Sequence, residues 1–136
     1  MKQAPLLKGK VIIALGKPED SRQKVMNHLH IFGYLERKRQ EEIMNRSKLV
    51  ITRPGYTTLM ELAVLRKKAL FIPIPGQTEQ VYLADYHKKK GSFYSVNQDK
   101  LNLVKDIEEA KRYKGVNYNY EKKDAVDRFM EIVFPE

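Results

Sequence analysis

The stretch that invites a chemical reading is Thr52-Arg53-Pro54-Gly55-Tyr56-Thr57-Thr58-Leu59-Met60-Glu61. An apolar strand, a glycine turn, two threonines and then a helix make a physical recipe for an oxyanion cradle. Gly55 lets backbone approach a ligand closely, and the N–H groups of the first helical turn, with the helix dipole, favour a phosphate. Thr57 and Thr58 add hydroxyl donors. Glu61 lies one turn further on, where a carboxylate is too close to a phosphate to help bind it. It suits a vicinal diol such as a ribose, as acidic residues do in dinucleotide sites. The same letters also spell a capping box. In Thr58-Leu59-Met60-Glu61, the threonine and the glutamate can simply satisfy the helix's own orphan N–H groups. Spacing alone leaves both readings open. Arg53, at the end of a buried strand, is costly there unless paired.

A second loop, Pro73-Ile74-Pro75-Gly76-Gln77-Thr78-Glu79-Gln80, enters a helix carrying Tyr82 and Ala84. Prolines stiffen it, and Gln77, Glu79 and Gln80 offer amide and carboxylate groups suited to hydroxyl-rich ligands. The alternative is a helix N-terminus with Thr78 as cap and Glu79 in the first turn. Elsewhere the chemistry is thin. His28 and His30 are expected two apart on one strand face, without a third ligand, so no metal site is expected. His87 stands in a lysine run with no carboxylate or nucleophile in view. No Walker A, G-x-G-x-x-G or G-x-S-x-G motif occurs.

These loops need strands to hold them. Lys10–Leu15, a β-branched run bounded by Gly9 and Gly16, predicts a buried strand. Val25–Phe32 predicts a second strand, Leu49–Thr52 a third, Ala69–Pro73 a fourth and Ser92–Val96 a short fifth. Helices are expected over Glu36–Arg46, Thr57–Arg66, Glu79–Lys90 (stopping at Gly91), Lys100–Tyr113 and Glu121–Val133, the last two separated by the loop Lys114–Tyr120. Strands alternating with helices, each strand a continuous apolar run, predict an α/β fold: a Rossmann-like parallel sheet with helices on both faces. Such sheets bind ligands outside the carboxyl ends of their strands, which is where both loops fall.

Length and composition set the frame. The 136 residues make one domain, or part of one. Seven Gly and six Pro, with 42% hydrophobic residues, exclude a collagen-like or disordered chain. Absent cysteine excludes disulfide scaffolds, thiol catalysis and cysteine-ligated zinc. No apolar run approaches the ~18 residues of a membrane span, and no signal peptide is visible, so a cytoplasmic domain is expected. The net charge of +9 is spread over Arg37–Arg39, Arg66–Lys68, Lys88–Lys90 and Lys122-Lys123, with acids interrupting most clusters. No zinc-finger spacing, RNP-like motif or basic zipper accompanies it, which argues against a nucleic-acid partner. A solvated lysine-rich surface explains the charge, and attraction to phosphorylated ligands or anionic lipid headgroups is the alternative.

Residues 47–91 resemble the nucleotide-sugar-binding half of a GT-B glycosyltransferase. More closely, they resemble the C-terminal domain of the MurG-like UDP-N-acetylglucosamine transferases of peptidoglycan synthesis. The shared pattern is an apolar strand (Leu49–Thr52), Arg-x-Gly (Arg53, Gly55), Thr58 and then Glu61. A second strand (Ala69–Pro73), Glu79, Gln80 and Ala84 complete it. Leu83 stands where the family usually has Asn, and Pro54 where a small residue is common.

The resemblance implies a UDP-sugar as ligand, with no cofactor or metal. Glu61 would bind the ribose hydroxyls, the Gly55–Thr58 turn with Thr57 would face the diphosphate, and Arg53 counts among the donor-binding residues. Gln80, with Glu79 and Gln77 beside it, would reach the donor sugar. Tyr34 and Leu35 would flank the uracil. It also implies a strand and a glycine-rich phosphate loop that the sequence does not show, and an acceptor domain with the catalytic base. The expectation is therefore a single partial donor-binding domain over residues 1–136, with a core at 9–96 and a helical part at 97–136, inactive alone. It would be completed by a missing N-terminal domain or a separate partner subunit, and would be prone to self-association and placed at the inner face of the membrane. A non-enzymatic basic module binding nucleic acid or an acidic protein is the alternative from another class.

Overall fold

The computed structural model describes residues 2–116. After a 3₁₀ turn at Ala4–Leu6 come β1 (Val11–Ala14), β2 (Gln23–Met26), β3 (Leu29–Phe32) and α1 (Arg37–Arg46). Then follow β4 (Val50–Thr52), α2 (Tyr56–Leu65), β5 (Ala69–Phe71), α3 (Thr78–Lys89), β6 (Tyr94–Ser95), a 3₁₀ turn at Gln98–Lys100 and α4 (Leu103–Lys111). The described residues fall into two units: 2–46 with 102–104, and 47–101 with 105–116. The expected helix Glu121–Val133 and most of the loop before it lie outside the described residues.

In the first unit, β1 pairs parallel to β3, with Val11 opposite Leu29 and Ala14 opposite Phe32. The single strand expected over Val25–Phe32 is instead a hairpin. It folds back at Asn27 and His28, so that β2 runs antiparallel to β3 with Met26 opposite Leu29. Asn27 takes the left-handed conformation at φ 54, which Asn tolerates better than most residues. All four β2 residues are exposed, as befits a short edge strand. His28 is thereby moved into the turn, away from His30 on β3, which removes the same-face histidine pair. Among the described residues no group of three metal-ligating side chains comes together.

The hairpin and the loop after β1 meet at Gly33. Its carbonyl accepts the Lys17 N–H (2.8 Å), and its own N–H donates to the Arg22 carbonyl (3.0 Å). Asp20 braces that loop by accepting from the Arg22 backbone N–H (3.0 Å), Nε (2.9 Å) and Nη2 (3.1 Å). These hydrogen bonds from Arg22, before any burial effect, pull the Asp20 carboxyl down to about 2. An open depression of about 440 Å³ lies along the same loop, lined by Lys17, Glu19, Asp20, Ser21 and Arg22.

In the second unit, β4, β5 and β6 form an all-parallel sheet in that order, with Ile51 opposite Leu70 and Leu70 opposite Tyr94. Central β5 is wholly buried, matching its unbroken apolar run. Leu59, Leu62 and Ala63 of α2 and Leu83 and Ala84 of α3 are buried with it, and Phe71 packs on Phe93 at 4.9 Å between centroids. Burying each such Leu or Phe is worth about 1.5–3 kcal/mol. His87 belongs to this core: it is 2% exposed and sits edge-on to Tyr86 and Phe93. Helix α2 ends in a Schellman-type turn, with Arg66 at φ 54, the Arg66 N–H on the Ala63 carbonyl and the Lys67 N–H on the Leu62 carbonyl. As expected, α3 runs into a left-handed Gly91 at φ +73. The helix expected over Lys100–Tyr113 is shorter, because residues 98–100 form the 3₁₀ turn and α4 starts at Leu103. Parallel strands alternating with helices make the fold class α/β and Rossmann-like.

Candidate functional site at the carboxyl ends of β4 and β5

Helix α2 begins directly after the chain leaves β4 and turns through Arg53, Pro54 and Gly55. Pro54 is fully buried, and its ring fixes the turn. Gly55 occupies the N-cap position in extended conformation (φ −156, ψ 158), and the first intrahelical bond runs from the Leu59 N–H to the Gly55 carbonyl at 2.9 Å. No side chain caps this helix. Thr58 is the third residue of the helix rather than its cap, so the capping-box reading of Thr58 and Glu61 fails. The physical reason is Pro54-Gly55, which puts the N-cap at Gly55, three residues before Thr58.

Two features of this turn fit a ligand. The N–H groups of the first turn carry the positive end of the α2 dipole, and the N-cap glycine has no side chain to accept from them. A Cβ added at Gly55 would meet nothing within 4 Å, and its extended φ is one any residue adopts. Neither packing nor backbone strain within this chain accounts for the glycine. Thr57 is exposed beside this gap, and Thr58 and Glu61 are half-buried.

The second loop is folded before any ligand arrives. Pro75 and Gly76 (φ +84) form a type II-like turn closed by the Gln77 N–H donating to the Ile74 carbonyl at 3.1 Å. Gln80 Oε1 accepts the Ile74 N–H at 2.9 Å, so what Gln80 has left to offer a ligand is its amide NH₂. Gln77, not Thr78, stands at the N-cap of α3, and it makes no side-chain cap bond. Gln77 and Glu79 are exposed.

The structure brings these two loops together through Arg53. Its Nη1 donates to the Ile72 carbonyl at 2.8 Å and its Nη2 to Gln98 Oε1 at 3.0 Å. The pairing demanded of a strand-end arginine is met, by partners that no local spacing announces. Gln98 is the residue the sequence reading passed over, being 45 positions away. Its only signal is the strand order β4-β5-β6, which carries the chain after β6 back over the sheet end. Tyr34 and Leu35 follow β3 in the first unit. Tyr34 is 46% exposed, whereas the Leu35 side chain is buried, which leaves Leu35 its backbone to offer a base.

Comparison with known proteins shows the family. Residues 2–133 match the family model described as glycosyltransferase family 28 C-terminal domain. Over 98 residues the chain is 31% identical to the UDP-N-acetylglucosamine--N-acetylmuramyl-(pentapeptide) pyrophosphoryl-undecaprenol N-acetylglucosamine transferase of Gloeothece citriformis. That match covers 71% of this chain and 27% of the relative, so the chain spans well under half of that protein's length. On the strength of a match running through nearly all its residues, the chain belongs to the glycosyltransferase family 28 C-terminal domain family, a Rossmann-like half of a GT-B fold.

Proposed function

We propose that this chain is the donor-binding part of a glycosyltransferase that uses a UDP-sugar, either UDP-N-acetylglucosamine or a UDP-hexose. The acceptor is lipid-linked or a saccharide, and the acceptor domain and the catalytic base lie outside these residues. The observation that carries the reading is the uncapped N-terminus of α2, with open space at Gly55 and a carboxylate one turn further in. An α- or β-phosphate at Gly55 to Thr58 meets oriented N–H donors and the helix dipole. Glu61 then stands at the right remove to accept from ribose hydroxyls. Gln80 donates its amide N–H to the sugar, with Gln77 and Glu79 at the same rim. The residues present support donor orientation and electrostatic stabilisation of the leaving diphosphate. Deprotonation of the acceptor falls to the rest of the protein, which places it at the cytoplasmic face of a membrane when the acceptor is lipid-linked.

Calorimetric titration with UDP, UDP-N-acetylglucosamine and ADP tests the proposal. Uridine-selective binding that weakens about tenfold in Glu61→Ala, with an unchanged melting temperature, is the expected result. Equal affinity for ADP and UDP, or a Glu61→Ala variant that binds as wild type, would overturn it. The chain alone is expected to transfer no sugar, which an assay of UDP release checks.

A further inference from the structure

Arg53 lies across the end of the parallel sheet. The last ladder bonds there are the Ile72 N–H to the Thr52 carbonyl (3.0 Å) and the Val96 N–H to the Phe71 carbonyl (3.1 Å). Just past them, Arg53 leaves the end of β4, donates to the Ile72 carbonyl after β5, and reaches Gln98 after β6. Its side chain and that of Gln98 therefore span about two strand spacings, roughly 10 Å. Only a guanidinium fork can serve both acceptors with separate nitrogens while keeping its plane and its charge.

Both acceptors are neutral, a peptide carbonyl and a side-chain amide. The described ion pairs join Arg22 to Asp20, Arg37 to Glu41, Lys111 to Glu108 and Arg112 to Glu109, and none takes up the Arg53 charge. Held by two neutral groups, the exposed Arg53 has no ion-pair partner among the described residues. It sits one residue before Pro54-Gly55, in the crevice region where open α/β sheets take their ligands. Had the position been occupied by Glu rather than Gln98, the same bond would have neutralised it.

We propose that Gln98 is a positioning residue for the nucleotide diphosphate. It acts through Arg53, holding the guanidinium across the sheet end so that its charge faces the phosphates bound at the start of α2. This rests on the donor-site reading given above and adds to it a residue outside both loops. The strap also joins the two loops, since Ile72 precedes the turn that Gln80 pins at Ile74.

The test separates charge from structure by comparing UDP with uridine, which lacks phosphates, on the full chain. Gln98→Glu keeps an acceptor for Arg53 but neutralises it. Its melting temperature should hold while UDP affinity falls about tenfold and uridine affinity stays unchanged. Arg53→Gln should lose UDP affinity to a similar extent, and Gln98→Glu added to it should cost little more. Gln98→Leu, which frees the guanidinium without neutralising it, should fall between wild type and Gln98→Glu. If wild type binds UDP and both Gln98→Glu and Arg53→Gln keep its preference over uridine, the strap has no part in phosphate binding. If wild type binds UDP no better than uridine, the donor reading itself falls, and this inference with it.

Discussion

Gly33 and Gly55 both end a strand-to-helix approach, one in each unit, and they are glycine for opposite reasons. At Gly33 an added Cβ would sit 2.3 Å from the Asp20 carbonyl oxygen and 2.6 Å from its Cγ. The braced loop over Lys17 to Arg22 presses directly on that backbone. At Gly55 an added Cβ would meet open space, in a backbone conformation that asks for no glycine. The first glycine is explained by the chain's own packing. On the proposed reading, the second leaves room for an anionic ligand at the positive end of the α2 dipole.

The comparison breaks most visibly at Gly33. Gly33→Ala forces a methyl against the Asp20 carbonyl oxygen, in a loop braced by the Asp20 N–H on the Lys17 carbonyl (2.9 Å) and by the Arg22 bonds to the Asp20 carboxylate. It should destabilise the protein by about 1–3 kcal/mol, read as a lower urea midpoint. A Gly33→Ala variant as stable as wild type would show that the loop yields easily. The contrast is sharpened by Arg66, where the backbone adopts the left-handed conformation without a glycine. Arg66→Gly should raise stability by about 1 kcal/mol in the same unfolding experiment, since a non-glycine residue in that region costs about 1–2 kcal/mol. The smallest expected effect concerns Asp20. Its carboxyl is lowered from 3.8 to about 2 by the Arg22 hydrogen bonds, so its bracing is complete above the unfolded value of 3.8 and is lost as pH falls through about 2. Carboxyl NMR titration should place its midpoint near 2, moving toward the ordinary value in Arg22→Ala.

Most of the second unit was legible because its signals are local. Val50–Thr52 and Ala69–Phe71 form parallel strands where the sequence places them, and Gly91 ends α3 as expected; only β5 is buried, whereas β4, at the edge of its sheet, leaves Ile51 exposed. The hairpin at Asn27-His28 was not legible, because Val25–Phe32 reads as one strand and its turn lacks the Asn-Gly or Asp-Gly signature. The capping box at Thr58 and Glu61 was legible but misleading, since four letters in the right spacing do not fix where a helix starts. Pro54-Gly55 does. The Arg53–Gln98 bond could not be read from any window, because only the order of three parallel strands brings positions 45 apart together. The role of Gly33 was hidden for the same reason, its contact being with a loop 13 residues earlier whose path depends on the hairpin.

The central claim is that the space at Gly55 belongs to a nucleotide diphosphate. It is tested most directly by titrating Gly55→Ala with UDP and with uridine, alongside its melting curve. The account predicts an unfolding free energy within about 0.5 kcal/mol of wild type, uridine binding retained, and UDP binding weakened to the level of uridine. A Gly55→Ala protein that binds UDP as tightly as wild type would contradict it. So would one that unfolds as readily as Gly33→Ala.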